Sequence, residues 1–170
     1  MAAVLGSVLV LLFAAGTPAR TNFSGTWVMD VDRSESAHQA VPIGPVTLVI
    51  KQTAAALRIE TRRTEADGTG TRSEVLTYKL DGSETTTVGG DGIPVKSKAH
   101  WDGSRLVTET ARNIEAASIT TMNVLSLDAK AGELTINRTL TVQHGYEFKG
   151  AQTTGKGTDV FIKTKGSTSK

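Results

Sequence analysis

An arginine on an apolar strand face is the residue with the clearest chemical potential in this chain. From Leu134 to Val142 the apolar residues alternate onto one face, and Arg138 falls in the middle of that face. A guanidinium buried without partners is very costly, so Arg138 requires a carboxylate, a carbonyl, an aromatic ring or a ligand anion. It could stack on Trp27 at one end of the fold, act as an anion hook inside a ligand cavity, or turn outward at a β-bulge. Stacking is the plainest interpretation, and the other two stay open.

Other chemistry is sparse. The three histidines, His38, His100 and His144, do not fall at a metal-ligand spacing, and there is no cysteine to supplement them, so no metal site is expected. The chain has no phosphate-binding loop, dinucleotide fingerprint or Gly-x-Ser-x-Gly, so we expect no cofactor and no catalysis. An enzyme would need a titratable group such as His100 or Glu109 in a pocket, and strand alternation points His100 outward.

Short alternating segments separated by turn residues must position these side chains. The separators include Asp67-Gly68, Asp81-Gly82 and Asp102-Gly103, and Asp-Gly is a strong hairpin signal. The candidate strands are residues 23–30, 45–52, 56–63, 72–80, 83–88, 93–101, 104–111, 116–127, 132–142, 145–151 and 157–164. This pattern predicts an all-β fold, a single antiparallel up-and-down β-barrel of about 8–10 strands, because closure removes exposed edges. The polar segment 31–44 leaves room for one short helix or a lid.

The same alternation identifies candidate ligand-binding residues. It places Trp101 and Tyr78 on inward faces, with His100 and two lysines on the face opposite Trp101. Together with Arg138 and Trp27, these two aromatic residues are the side chains predicted to contact a ligand. Aromatic residues make up only 5% of the chain, and many inward positions are Thr, Ser or Ala. The interior is therefore expected to be filled by small side chains or to hold a partly polar cavity.

The first predicted strand carries a recognisable motif. Residues 23–27, Phe-Ser-Gly-Thr-Trp, resemble the first-strand motif that lipocalins and fatty-acid-binding proteins share. The resemblance implies that Trp27 closes one barrel end and that a late arginine, here Arg138, packs over it. Fatty-acid-binding proteins also carry an Arg-x-Tyr on the final strand. Residues 159–164 contain neither Arg nor Tyr, so carboxylate binding by that motif is not expected.

A longer set of short matches is similar to a group of secreted bacterial lipocalin-like proteins of the calycin type. These matches are residues 25–30, Arg33-Ser34, 96–103, 106–110 and 134–138. The resemblance implies an up-and-down barrel in the periplasm or outside the cell. It implies little about activity.

The ends of the chain suggest a secreted protein. Residues 2–15 form an apolar run that is too short to span a bilayer, which takes about 20 residues. Small residues that suit a signal peptidase follow, with cleavage after Ala19. We therefore expect a signal peptide over 1–19, no transmembrane segment after cleavage, one barrel domain over 20–164 and a disordered tail over 165–170.

The composition of the chain restricts the classes of binding partner. A net charge of +2 is too small to indicate nucleic acid or an anionic membrane surface. The sequence thus predicts a secreted or periplasmic, monomeric, non-catalytic barrel that binds a small amphipathic or hydrophobic ligand. One alternative is an envelope protein–protein interaction module with a filled barrel. A barrel enzyme is the other.

Overall fold

Strands account for nearly all regular structure in the part of the chain that the structure describes. The computed structural model describes residues 20–40, 42–64, 70–145 and 152–164 of the 170-residue chain. In these ranges the strands are β1 (Gly25–Met29), β2 (Val46–Gln52), β3 (Ala56–Thr64), β4 (Thr71–Lys79), β5 (Thr85–Val88), β6 (Pro94–Asp102), β7 (Arg105–Ile114), β8 (Ala117–Leu127), β9 (Glu133–Gln143) and β10 (Gln152–Lys163). The predicted all-β class is confirmed. Asp67-Gly68 and most of the candidate strand 145–151 lie outside the described residues.

The segment 31–44, which the sequence left open as one short helix or a lid, contains two 3₁₀ turns in its described part. These are η1 (Val31–Arg33) and η2 (Glu35–His38). Ser34 between them is extended, with φ −106° and ψ 119°, and its hydroxyl bonds to the backbone of Val160 on β10. This tether interrupts the helical path, so no continuous helix forms.

The strands form one antiparallel sheet that curls into a nearly closed barrel. Their order is β4-β3-β2-β1-β10-β9-β8-β7-β6-β5, so β1 pairs with β10 and the sheet has its two edges at β4 and β5. Side chains bridge these edges: the hydroxyls of Thr85 and Ser97 donate to the Thr77 carbonyl at 2.8 and 3.0 Å. The expected up-and-down barrel is therefore confirmed, with one seam closed by side chains rather than by a strand ladder.

The Asp-Gly turns behave in two ways. Asp102 and Arg105 pair across a two-residue hairpin, in which Gly103 has φ +62°, as the sequence predicts. Asp81-Gly82 joins β4 to β5 without pairing them, so a hairpin prediction there is wrong. The Asp81 carboxylate instead accepts hydrogen bonds from the Ser83 N–H and hydroxyl, which directs the chain away from β4.

One end of the barrel is sealed by a tightly packed apolar floor. Trp27 is fully buried, and its indole N–H donates to the Phe23 carbonyl at 3.0 Å. The ammonium of Lys163 lies 5.1 Å from the centre of the Trp27 ring, so a lysine occupies the position over the tryptophan that the sequence assigned to Arg138. The other side chains of the same hydrophobic core that are at most 1% exposed are Phe23, Leu57, Ala99, Leu106, Leu125, Leu134 and Phe161.

The structure explains why the first-strand motif, residues 23–27, contains a glycine. Gly25 has φ +152°, which disfavours any residue with a Cβ. A Cβ added there would lie 2.7 Å from Cε of Lys163, the residue that packs over Trp27. The first-strand motif thus encodes both the floor and the space for the cation above it.

Gly25→Ala should lower the free energy of unfolding by about 1–3 kcal/mol, because it combines backbone strain with displacement of Lys163. Urea unfolding followed by tryptophan fluorescence measures the change. Gly155→Ala on β10 is the matched control, since a Cβ there meets open space. Equal unfolding midpoints for the two variants would contradict this account of the motif.

Candidate functional site: the cavity inside the barrel

The barrel interior above the floor is open. It holds a cavity of about 320 Å³ that continues into a mouth of about 580 Å³ at the opposite end from Trp27. Cavity and mouth share lining residues, so they form one continuous space. The shared residues are Thr61, Arg63, Glu74, Arg112, Thr121 and Leu140.

The two sides of the cavity differ in chemistry. The side built from β1 to β4 carries an apolar cluster of Met29, Val46, Leu48, Ile59 and Leu76, beside the polar residues Thr61, Arg63, Glu74 and Tyr78. The side built from β7 to β9 carries mainly hydrogen-bonding groups, from Thr108, Thr110, Thr121, Asn123 and Arg138. We refer to these five residues as the polar wall. Both sets point inward because alternate residues of a strand share a face.

Arg138 points into the cavity, as its position in the apolar pattern predicts, but its partner is a carboxylate. Its guanidinium lies 2.9 Å from Oδ2 of Asp159, which is 1% exposed. Arg138 sits opposite Gly157 in the β9–β10 register, so Asp159 is its diagonal neighbour on the same face. Stacking on Trp27, the plainest sequence interpretation, is therefore wrong, because Arg138 pairs with a buried carboxylate and Lys163 lies over Trp27 instead.

Asp159 also fastens the segment between β1 and β2. Its Oδ1 accepts hydrogen bonds from the Ser36 N–H, at 3.0 Å, and from the Ser36 hydroxyl. On either side, Val160 N–H donates to the Ser34 hydroxyl and Thr158 N–H donates to the Glu35 carboxylate. Because β1 ends at Met29, these side chains take the place of a strand along β10. Ser36 itself lines the cavity, so η2 forms part of its wall.

Arginines surround the mouth, and they differ in how their charge is compensated. Arg112 is 2.8 Å from a Glu74 oxygen and 3.7 Å from an Asp91 oxygen. Arg63 lines both cavity and mouth, yet it makes no ion pair within 4 Å in the described part of the chain. Partial removal from water and the like charge of Arg138 lower the pKa of Arg63, despite the attraction of Glu74. Among the described residues, the mouth therefore presents a cation that forms no ion pair.

Two polar residues of the cavity lining, Tyr78 and Asn123, lie deeper in the barrel than the arginines at the mouth. Burial raises the pKa of Tyr78, although the Thr108 side chain on β7 acts in the opposite direction, so the phenol stays neutral. The Oδ1 atom of Asn123 is buried and has no hydrogen-bond partner among the described residues. The lining thus contains an unsatisfied acceptor beside satisfied groups.

The structure separates the four predicted ligand-binding residues into two pairs. Tyr78 and Arg138 line the cavity. Trp27 lies in the floor, while Trp101 is half-buried, stacks on Phe23 with ring centres 6.2 Å apart, and carries the Arg20 guanidinium at 5.6 Å. Ligand contact by any of the four stays a prediction.

Sequence reasoning missed several cavity residues. Arg63 continues the inward alternation of Leu57, Ile59 and Thr61, and Arg112 continues that of Leu106 and Thr108. Extending the alternation to the strand ends would have identified both arginines. Their different ion pairing depends on neighbouring strands, which the local pattern does not specify.

The residues considered for catalysis lie outside the cavity. His100 is exposed on the outer face, as predicted, and Glu109 pairs with Lys98 at 2.9 Å across that face. The described ranges contain no cluster of three or more His, Asp or Glu side chains that could hold a metal. Nor do they contain a helix of the length and apolar character needed to cross a membrane.

Comparison with known proteins bears on the fold. No family model and no curated protein sequence matches this chain. Among solved structures, it is similar to the REP1-NXSQ fatty acid transporter, with 16% identity and a TM-score of 0.52 over 84% of this chain and 96% of that one. It is also similar to apo lipid binding protein 8 (LBP-8) of Caenorhabditis elegans, with 14% identity and a TM-score of 0.53 over 84% and 95%. The likeness shows the fold, an antiparallel β-barrel.

Removing the Asp159 carboxylate should destabilise the barrel. Asp159→Ala is expected to lower the free energy of unfolding by about 2–4 kcal/mol, since it leaves Arg138 and the Ser36 N–H without their partner. Adding Arg138→Leu should recover part of the loss, which gives a coupling of at least about 1 kcal/mol in a double-mutant cycle. Urea unfolding of the four proteins measures it, and strictly additive losses would show that the pair is not coupled.

Proposed function

We propose that this protein binds a small amphipathic anion inside its barrel and does not catalyse a reaction. The observation that carries the proposal is the open cavity with Arg63 at its mouth, a cation with no ion pair within 4 Å among the described residues. An apolar side accepts the ligand body, and the guanidinium accepts its negatively charged group. A charge-assisted hydrogen bond of this kind is stronger than a neutral one.

The size of the cavity fits a small molecule. A volume of about 320 Å³ lies at the lower end of the roughly 300–1,000 Å³ typical of ligand pockets. Burial of apolar ligand groups against Leu48, Ile59 and Leu76 would supply about 0.8 kcal/mol for each CH₂ removed from water. The structural neighbours are described as a fatty acid transporter and a lipid binding protein, which supports an apolar ligand body.

The cavity favours binding over the two alternative functions. An interaction module with a filled barrel would need side chains in the space that is open here. An enzyme would need a reactive group facing that space, and the two candidates, His100 and Glu109, face outward. Ligand binding requires neither condition.

We also propose that the protein is secreted, on the basis of the apolar leader 2–15 and the small residues before Arg20. This leader lies outside the described residues. Intact-mass analysis of protein from the periplasmic and extracellular fractions should give a chain that begins at Arg20. A cell-associated protein that retains residues 1–19 would contradict secretion.

The contribution of the anion can be isolated with two probes of equal chain length. Oleate should bind about tenfold more tightly than oleyl alcohol by isothermal titration calorimetry, because only oleate offers a carboxylate to Arg63. Arg63→Gln should remove this preference and leave binding of the alcohol unchanged.

Arg62→Gln is the control. Arg62 is on the same strand but faces outward and pairs with Glu60 at 2.7 Å. The Arg62→Gln variant should retain the preference for oleate over oleyl alcohol. If neither probe binds to the wild-type protein, the proposed function is wrong. If the preference survives Arg63→Gln, another group holds the anion.

A further inference from the structure

The polar wall forms a continuous patch rather than scattered groups. Thr108 on β7 sits directly opposite Asn123 on β8, which sits opposite Arg138 on β9. One step closer to the mouth, Thr110 sits opposite Thr121. Directly opposite residues on one face of an antiparallel pair have Cβ atoms about 4.5–5.5 Å apart. A ligand lying along this wall therefore meets hydrogen-bonding groups along its body and not only at one end.

The groups of the wall are not equally satisfied. The Arg138 guanidinium is paired with the Asp159 carboxylate at 2.9 Å. Asn123 differs, because its Oδ1 is buried without a partner among the described residues while the side chain lines the cavity. An unsatisfied buried acceptor is costly, so this position favours a molecule that brings a donor.

A plain hydrocarbon chain fits this wall poorly. It would cover the Thr110 and Thr121 hydroxyls without offering them a hydrogen bond, and it would leave Asn123 Oδ1 without a donor. On the opposite side, Leu48, Ile59 and Leu76 offer no hydrogen bonds and favour an apolar surface. The polar wall thus faces a cluster of apolar side chains across the cavity.

We infer that the natural ligand is a hydroxylated amphipathic acid, with at least one hydroxyl on its body that donates to Asn123 on the polar wall. This inference rests on the proposed function and narrows it. The acid group binds at Arg63, the apolar edge contacts β2 to β4, and the hydroxylated edge contacts β7 to β9. The ligand is then distinguished from an ordinary fatty acid by groups far from its charged end.

The test uses oleate and ricinoleate, its 12-hydroxy derivative, which share chain length, double bond and carboxylate. Affinities are measured by isothermal titration calorimetry on the wild-type protein. We expect ricinoleate to bind about tenfold more tightly, since its hydroxyl supplies the missing partner. A cavity that selects by hydrophobicity alone gives the opposite order, because ricinoleate is the more polar molecule.

Two variants locate the effect. Asn123→Leu should abolish or reverse the preference for ricinoleate while oleate binds at least as well as before. Thr121→Val should reduce the preference to a lesser degree. Thr120→Val, a substitution on the same strand at a position facing away from the cavity, is the control and should preserve it. Far-ultraviolet circular dichroism establishes that each variant keeps its β structure.

The outcomes separate this inference from the proposed function. If both acids bind to the wild type with equal affinity, or oleate binds better, the inference is overturned and binding of amphipathic anions stands. If ricinoleate is preferred and Asn123→Leu retains the preference, Asn123 is not the acceptor and the inference is overturned. If neither acid binds, both the inference and the proposed function fail.

Discussion

The part of the barrel that surrounds the cavity depends on the interactions of one buried carboxylate, that of Asp159. It compensates the Arg138 guanidinium on β9 and accepts two hydrogen bonds from Ser36 in η2. A carboxylate this deeply buried is tolerated only when it is paired and hydrogen-bonded, and each of its partners comes from a different part of the chain. The position of η2, the orientation of Arg138 and the shape of the cavity wall therefore depend on a single group.

The cavity exists because the barrel is filled unevenly. Large apolar side chains crowd the floor around Trp27, whereas the positions above it on β7 and β8 carry threonines and an asparagine. Side chains of this size do not reach across the barrel, so space remains between them and the apolar residues of β2 to β4. The same choice of small polar residues gives the cavity both its volume and its chemical asymmetry.

The seam between β4 and β5 shows how the barrel closes without a complete ladder. Near the floor, the hydroxyls of Thr85 and Ser97 reach the Thr77 carbonyl. Near the mouth, Arg112 joins Glu74 on β4 to Asp91 in the turn after β5. Because both carboxylates already engage Arg112, its charge is compensated within the protein, whereas Arg63 makes no ion pair among the described residues.

Strand alternation, which is a local property, determined much of the fold and part of the site from the sequence. It identified the all-β class, the outward position of His100 and the inward positions of Tyr78 and Arg138, because the side of a strand that a residue faces depends only on its place in the chain.

Only the tertiary structure decided which groups meet. Arg138 finds Asp159 rather than Trp27 because of the register between β9 and β10 and the curvature of the barrel. Arg63 remains without an ion pair among the described residues because the neighbouring carboxylates are engaged elsewhere. Register, stagger and closure act between distant segments, so no local pattern specifies them.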